Sequence, residues 1–188
     1  MKPELDSKSA HLLETELALW KPPAGPAVTD SLGMLRAIPL FRDLKDAELT
    51  KVSKLLHQRE YAADEVVFRE GQTGAGMYII QQGAVDIVLR LADGSEQCVV
   101  SLKDRQFFGE LALLESTPRT ATCVVRKPSV LLGLFQPDLE QLLERNAQLG
   151  ARVVWNLARM TGLRLRELSD LMRARAEATP PAKAPGAA

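Results

Sequence analysis

From Arg59 to Phe135 the apolar residues arrive in short β-branched and aromatic runs: Val66-Val67-Phe68, Met77-Tyr78-Ile79-Ile80, Ala84–Leu91, Gln97–Leu102, Thr122–Val125 and Val130–Phe135. Turn residues separate them at Glu70-Gly71, Gln82-Gly83 and Ala92-Asp93-Gly94-Ser95, the Asp-Gly pair being a strong hairpin signal. Several strands at such close spacing predict an antiparallel, jelly-roll-like β-roll. The fold class is therefore mainly β with flanking α.

The flanks read as helices. Glu4–Trp20 carries Leu12, Leu13, Leu17 and Trp20 at helical spacing, and Lys21-Pro22-Pro23-Ala24-Gly25-Pro26 stops it, because prolines lack the backbone donor. Asp30 or Ser31 can cap a short helix through Ala37. Asp46-Ala47-Glu48-Leu49 opens another that runs to about His57, with Leu49, Val52, Leu55 and Leu56 inward.

Beyond Gln136-Pro137-Asp138 the apolar residues return to helical spacing, from Leu139 through Leu149, Val153, Leu157, Met160, Leu163 and Leu168 to Leu171. A roll this small cannot cover so long a stripe, which predicts a dimer seam or an exposed far end. The divisions are 1–26, an N-terminal amphipathic helix and linker; 27–172, the main domain, with its roll at about 59–135 and C-terminal helices at about 138–172; and 173–188, an Ala- and Pro-rich tail expected to be disordered.

Composition narrows the function. Lys plus Arg equals Asp plus Glu at 24 each, so no global field draws the chain to nucleic acid or an anionic membrane. No apolar run approaches the roughly 20 residues needed to span a bilayer, and a cytoplasmic location is expected. Cys98 and Cys123 sit in strand-like runs and are expected to be reduced core thiols. With no histidine after His57, a metal site on the roll lacks ligands.

One stretch carries chemistry: Phe107-Phe108-Gly109-Glu110-Leu111-Ala112-Leu113-Leu114-Glu115-Ser116-Thr117-Pro118-Arg119-Thr120-Ala121. A short helix at Glu110–Leu114, opened by glycine, turns free N–H groups toward whatever precedes it. Arg119 re-enters the roll with a permanently charged fork that suits a phosphodiester, and the Thr120 hydroxyl can take a further lone pair. Glu110 would repel an anion, yet it suits a ligand that also carries a hydroxyl donor, such as the 2′-OH of a 3′,5′-cyclic nucleotide.

This segment resembles the phosphate-binding cassette of the cyclic-nucleotide-binding domain family. The resemblance runs from about Leu40 to Asp170, and includes the turn Phe68-Arg69-Glu70-Gly71 and the strand pair Met77–Leu89 around Gly83. It implies that Glu110 holds the ribose and Arg119 the phosphate, that Gly109, Leu111 and Ala112 line the backbone side, and that Thr120 and Ala121 lie beside phosphate and base. A gapless comparison with the catabolite activator protein puts a base lid near Met160, Leu163 and Arg164.

The implied ligand is cAMP, with cGMP the alternative; no cofactor and no catalytic residue is implied. The implied partner is a second copy held through the C-terminal helix, or an effector protein. No helix-turn-helix segment follows the long helix, so that mode of DNA binding is not expected. Blander readings stand beside these. Arg119 could be a surface arginine paired with Glu115 or Asp104, Phe107 and Phe108 are read as core packing, and the arginines Arg152, Arg159, Arg164, Arg166, Arg173 and Arg175 as a solvated face. A constitutive interaction module with a vestigial pocket is the second function. An enzymatic pair of Glu110 and Glu115 is disfavoured, because five residues apart on a helix they point to different sides.

Overall fold

The structure, a computed structural model, describes residues 31–115 and 117–178. The helix expected at Glu4–Trp20, its proline linker and residues 179–188 lie outside that range. In chain order the elements are α1 (Ser31–Arg36), α2 (Asp46–Ser53), β1 (His57–Tyr61), β2 (Val66–Phe68), β3 (Gly76–Arg90), β4 (Glu96–Lys103), β5 (Phe107–Phe108), α3 (Leu111–Leu114), β6 (Thr122–Phe135), α4 (Gln136–Arg145) and α5 (Ala147–Ala178). The strands run β1-β6-β3-β4, with β2 on β6 and β5 on β3, and every pairing is antiparallel. This is a β-roll with flanking helices and a long C-terminal helix.

Two pairs of expected strands are fused. Met77–Ile80 and Ala84–Arg90 belong to one strand, β3, which stops one residue short of the expected Leu91, and Thr122–Val125 and Val130–Phe135 to another, β6. Gly83 sits at a φ of 126°, its N–H donates to Asp104 Oδ1 at 2.7 Å, and the next N–H, of Ala84, donates to Ser129 Oγ at 3.1 Å. Register shifts between Ile80 and Val85 absorb the irregularity, so one strand runs on where a turn between two was expected. His57 also differs. The helix ends at Ser53, and His57 opens β1 opposite Gly133 with its Nε2 3.0 Å from Asp138 Oδ2.

Alternation along β3 and β6 divides the interior in two. Met77, Ile79, Leu132 and Leu134 join Leu35, Phe41, Leu49 and the helices in one cluster, and Phe107 belongs to it. Tyr78, Ile80, Leu131 and Phe135 face the inside of the roll with Phe68, Val125 and Phe108. Phe107 and Phe108 are both buried, as expected of core packing, and serve opposite faces of the sheet.

Helix α5 is unbroken for 32 residues. Residues 173–178 are thus helical where a disordered tail was expected, in keeping with the strong helix propensity of their alanines and arginines. Leu149, Val153 and Leu157 pack inward, Asn156 Nδ2 donates to Leu40 O at 3.0 Å, and Arg152 grips Glu48 at 2.8 and 2.9 Å. Glu48 also accepts the Lys45 N–H at 2.9 Å, so one carboxylate caps α2 and docks α5 on it. Arg152, 39% exposed at its side chain, is therefore held in an ion pair and not freely solvated.

The outward side of α5 carries Trp155, Ala158, Gly162, Leu165, Ser169 and Met172, all exposed and spaced alternately by three and four residues. Trp155, Leu165 and Met172 are 72%, 64% and 66% exposed. That seam is distinct from the inner stripe legible in the sequence, of which the Leu168 and Leu171 side chains are not described.

Candidate functional site

Gly109 turns the chain out of β5 at a φ of 74°, a left-handed setting that L side chains resist, and the single turn α3 follows. Leu113 and Ala112 anchor that turn in the interior. The end of the Phe68–Gly71 turn and the residue after it hold the other end of the cassette: Arg119 N–H donates to Gln72 O at 2.7 Å, and Gly71 N–H donates to Arg119 O at 2.9 Å.

Arg119 is 4% exposed, which disposes of the surface-arginine reading. Its Nη1 donates to Gly76 O at 2.7 Å and Gly109 O at 3.2 Å, and its guanidinium lies 4.1 Å above the Phe68 ring centroid and 5.7 Å from that of Tyr78. Two glycines leave the space it fills. A Cβ on Gly74 would stand 2.7 Å from Arg119 Nε, and one on Gly109 2.6 Å from Nη1.

Above this floor opens a cavity of about 590 Å³, within the range of small-molecule sites. Its wall includes Gly109, Glu110, Leu111, Ala112, Arg119, Thr120 and Ala121, the seven expected ligand-side residues, while Leu113 of the cassette is buried in the helical core instead. The acid and the base thus share a site, with Thr120 exposed at its side. Ala112 N–H, expected to face a ligand, donates to Gly109 O at 3.2 Å.

Of the three expected lid residues, Arg164 lies in the cavity wall. Its Nη1 is 2.8 Å from Glu110 Oε1, its Nη2 donates to Phe107 O at 2.7 Å, and its guanidinium stacks 4.2 Å from the Phe107 ring centroid. Met160 instead packs against the helical core, and Leu163 is 47% exposed outside the wall. Helical phase sets only Leu163 apart, about 100° round the helix from Arg164; Met160, one turn before Arg164, shares its face but packs against the helical core.

Glu167 and the strand residues Val99 and Val100 also line the wall, and the sequence alone did not mark them as site residues. Glu167 could have been found, because it lies three residues beyond Arg164 on the same helical face. Val99 and Val100 depend on how β4 folds over, which its own residues do not declare.

A polar cluster sits on the same sheet. Asp86, buried in β3, accepts from Ser101 Oγ at 2.7 Å, Arg126 Nε at 2.6 Å and Cys98 Sγ at 3.3 Å. Burial opposes ionisation of this carboxyl, but the hydrogen bonds from Ser101, Arg126 and Cys98 outweigh it and hold the group below its ordinary value. Cys98 is therefore exposed on the edge strand β4, contrary to the expected core thiol, whereas Cys123 is buried and burial pushes its thiol well up. Among the described residues no helix is long and apolar enough to cross a membrane, and no cluster suited to a metal ion occurs.

Residues 58–146 match the family model described as cyclic nucleotide-binding domain. A cAMP-dependent protein kinase regulatory subunit of Mycosarcoma maydis is 41% identical over 88 residues, 47% of this chain and 17% of that protein. The crystal structure of the Thermus thermophilus catabolite activator protein superposes with a TM-score of 0.67 at 28% identity, covering 73% of this chain and 63% of that one. The N-terminal domain of a transcriptional regulator from Streptomyces coelicolor A3(2) gives a TM-score of 0.64 at 29% identity, over 74% and 94%. Fold and matches agree, and residues 58–146 are a cyclic-nucleotide-binding domain of that family. The chain spans no more than 33% of the length of the first three curated relatives it matches.

Proposed function

We propose that the chain is a non-catalytic sensor of a 3′,5′-cyclic purine nucleotide, cAMP with cGMP as the alternative, and that it signals through α5 to a partner. The observation that carries this reading is the convergence of Glu110 and Arg119 on one cavity of about 590 Å³ with α5 forming part of its wall. Arg119 supplies the fixed cation for the phosphate, its side chain pre-set by Gly76 O and Gly109 O. Glu110 accepts the lone ribose hydroxyl. The outward seam of Trp155, Leu165 and Met172 supports a partner, a second copy of the chain or an effector, on the opposite side of the same helix. Light scattering with and without nucleotide distinguishes those two.

A second reading has an observation of its own. Arg119 already bonds two backbone carbonyls, as a purely structural arginine would, which suits a constitutive interaction module with a vestigial pocket. Isothermal titration of the chain with cAMP and cGMP separates the readings. The sensor binds at least one of them, and Arg119→Lys, which keeps the charge but loses the fork, weakens binding at least about 10-fold. A chain that takes up neither nucleotide leaves the second reading standing.

A further inference from the structure

The outward seam of α5 is exposed along its length, and its pattern says what fits it. Trp155, Gly162 and Ser169 alternate with Ala158, Leu165 and Met172 in steps of three and four, the a and d positions of a heptad. Large side chains stand among small ones, and a Cβ on Gly162 would meet nothing within 4 Å, so the seam offers holes that another helix can fill. One flank carries Arg159, Arg166 and Arg173, one in each heptad and all exposed. Of the three, only Arg159 has an ion pair among the described residues, with Asp43 at 3.8 Å.

That row argues against a second copy. In a parallel pair the positions opposite the arginines are Val154, Thr161 and Leu168, none of them acidic, and in an antiparallel pair the arginines oppose one another. The occupant that suits the seam is an amphipathic helix with acids beside its apolar stripe. The chain holds such a stripe outside the described residues: Ala10, Leu13, Leu17 and Trp20 keep the same alternation, with Glu14 on one flank and Glu16 on the other. As helices, Glu4–Trp20 and the seam from Trp155 to Met172 are each about 25 Å long. Residues 21–30 reach about 30 Å when extended, and α1, which they enter, packs through Leu35 with Leu149, Val153 and Leu157 of the same helix.

We propose that the seam is the docking site of the chain's own segment Glu4–Trp20. The apolar stripe covers Trp155, Leu165 and Met172, and one glutamate faces the arginine row, Glu14 in an antiparallel setting or Glu16 in a parallel one. An effector then reaches the seam only by displacing this segment. The proposal does not rest on nucleotide binding, and its test is run without nucleotide.

The chain has two tryptophans, one on each side of the contact. Trp20→Phe keeps the stripe and leaves Trp155 as the sole reporter. In that variant of the whole chain, Trp155 emission is expected to be blue-shifted and independent of protein concentration. Adding Leu13→Glu and Leu17→Glu is expected to shift it to the red and to raise acrylamide quenching at least about 2-fold. Adding Glu14→Lys and Glu16→Lys instead is expected to give part of that loss, and Arg166→Glu with Arg173→Glu on top to restore the shielding. Thermal melting checks that each variant folds.

Trp155 open to the quencher in the Trp20→Phe chain overturns the proposal. So does shielding that rises with protein concentration, the mark of a second copy, or that survives Leu13→Glu with Leu17→Glu. Should the leucine variant fail to fold, the charge exchange decides alone: a loss that the arginine substitutions recover upholds the proposal, and no loss, or a loss without recovery, overturns it.

Discussion

The two faces of β3 and β6 are built from alternate residues of the same strands and meet different fates. On the helix side, Met77, Ile79, Leu132 and Leu134 are covered by α1, α2 and α5 into a continuous apolar core. On the roll side, Tyr78, Ile80, Leu131 and Phe135 pack against Phe68 and Phe108, and beyond these aromatics the interior opens into the cavity above Arg119. One face is filled and makes the domain stable; the other is held open by glycines, a buried cation and backbone carbonyls. Stability and recognition are thereby set on opposite sides of a single sheet, adjacent in sequence and separable by mutation.

The largest effect expected to test this division lies on the filled side. Phe41 is fully buried in the helical cluster, and Phe41→Ala is expected to cost about 3–5 kcal/mol in denaturant unfolding. If the faces are as separate as their packing, nucleotide affinity in the surviving folded fraction changes little. Next in size is Gly109→Ala on the open side, which forces a Cβ into a left-handed φ and to within 2.6 Å of Arg119 Nη1. It is expected to cost about 1–2 kcal/mol in stability and to reduce nucleotide affinity more than Phe41→Ala does, read by paired melts and titrations.

The smallest effect concerns acid. The folded-state pKa of Asp86 is lowered, so its contribution to stability is complete above the ordinary carboxylate value of 3.8 and fades as pH falls through the folded value. Asp86→Asn is expected to destabilise the chain near neutral pH and to flatten the acid limb of its melting profile below about pH 4. A variant with the same acid limb as the parent would show that the Ser101, Arg126 and Cys98 contacts do not favour the charged carboxylate.

What the sequence disclosed follows the range of the interaction responsible. The cassette from Phe107 to Ala121 is legible because its chemistry is written in consecutive residues, and the structure brings Phe108–Ala112 and Thr117–Ala121 to one wall. Arg164 came together with Met160 and Leu163 from a gapless spacing, which carries no information on how deep each side chain docks, and of the three only Arg164 lines the cavity. Gln82-Gly83 reads locally as a turn, yet Asp104 and Ser129, distant in sequence, hold it as a bend within β3. Cys98 was misplaced for a similar reason, since nothing in β4 itself announces that it borders the sheet.

The unbroken length of α5 has a thermodynamic corollary. Arg164 and Glu167 look into the cavity while Leu165 and Met172 look out, and a continuous helix has a single rotational setting that serves both sides. A partner on the outward seam that favours one such setting would bias the inner grip, and linkage makes the exchange symmetric: a protein that binds tighter when the cavity is occupied must raise the affinity of the cavity's occupant by the same factor.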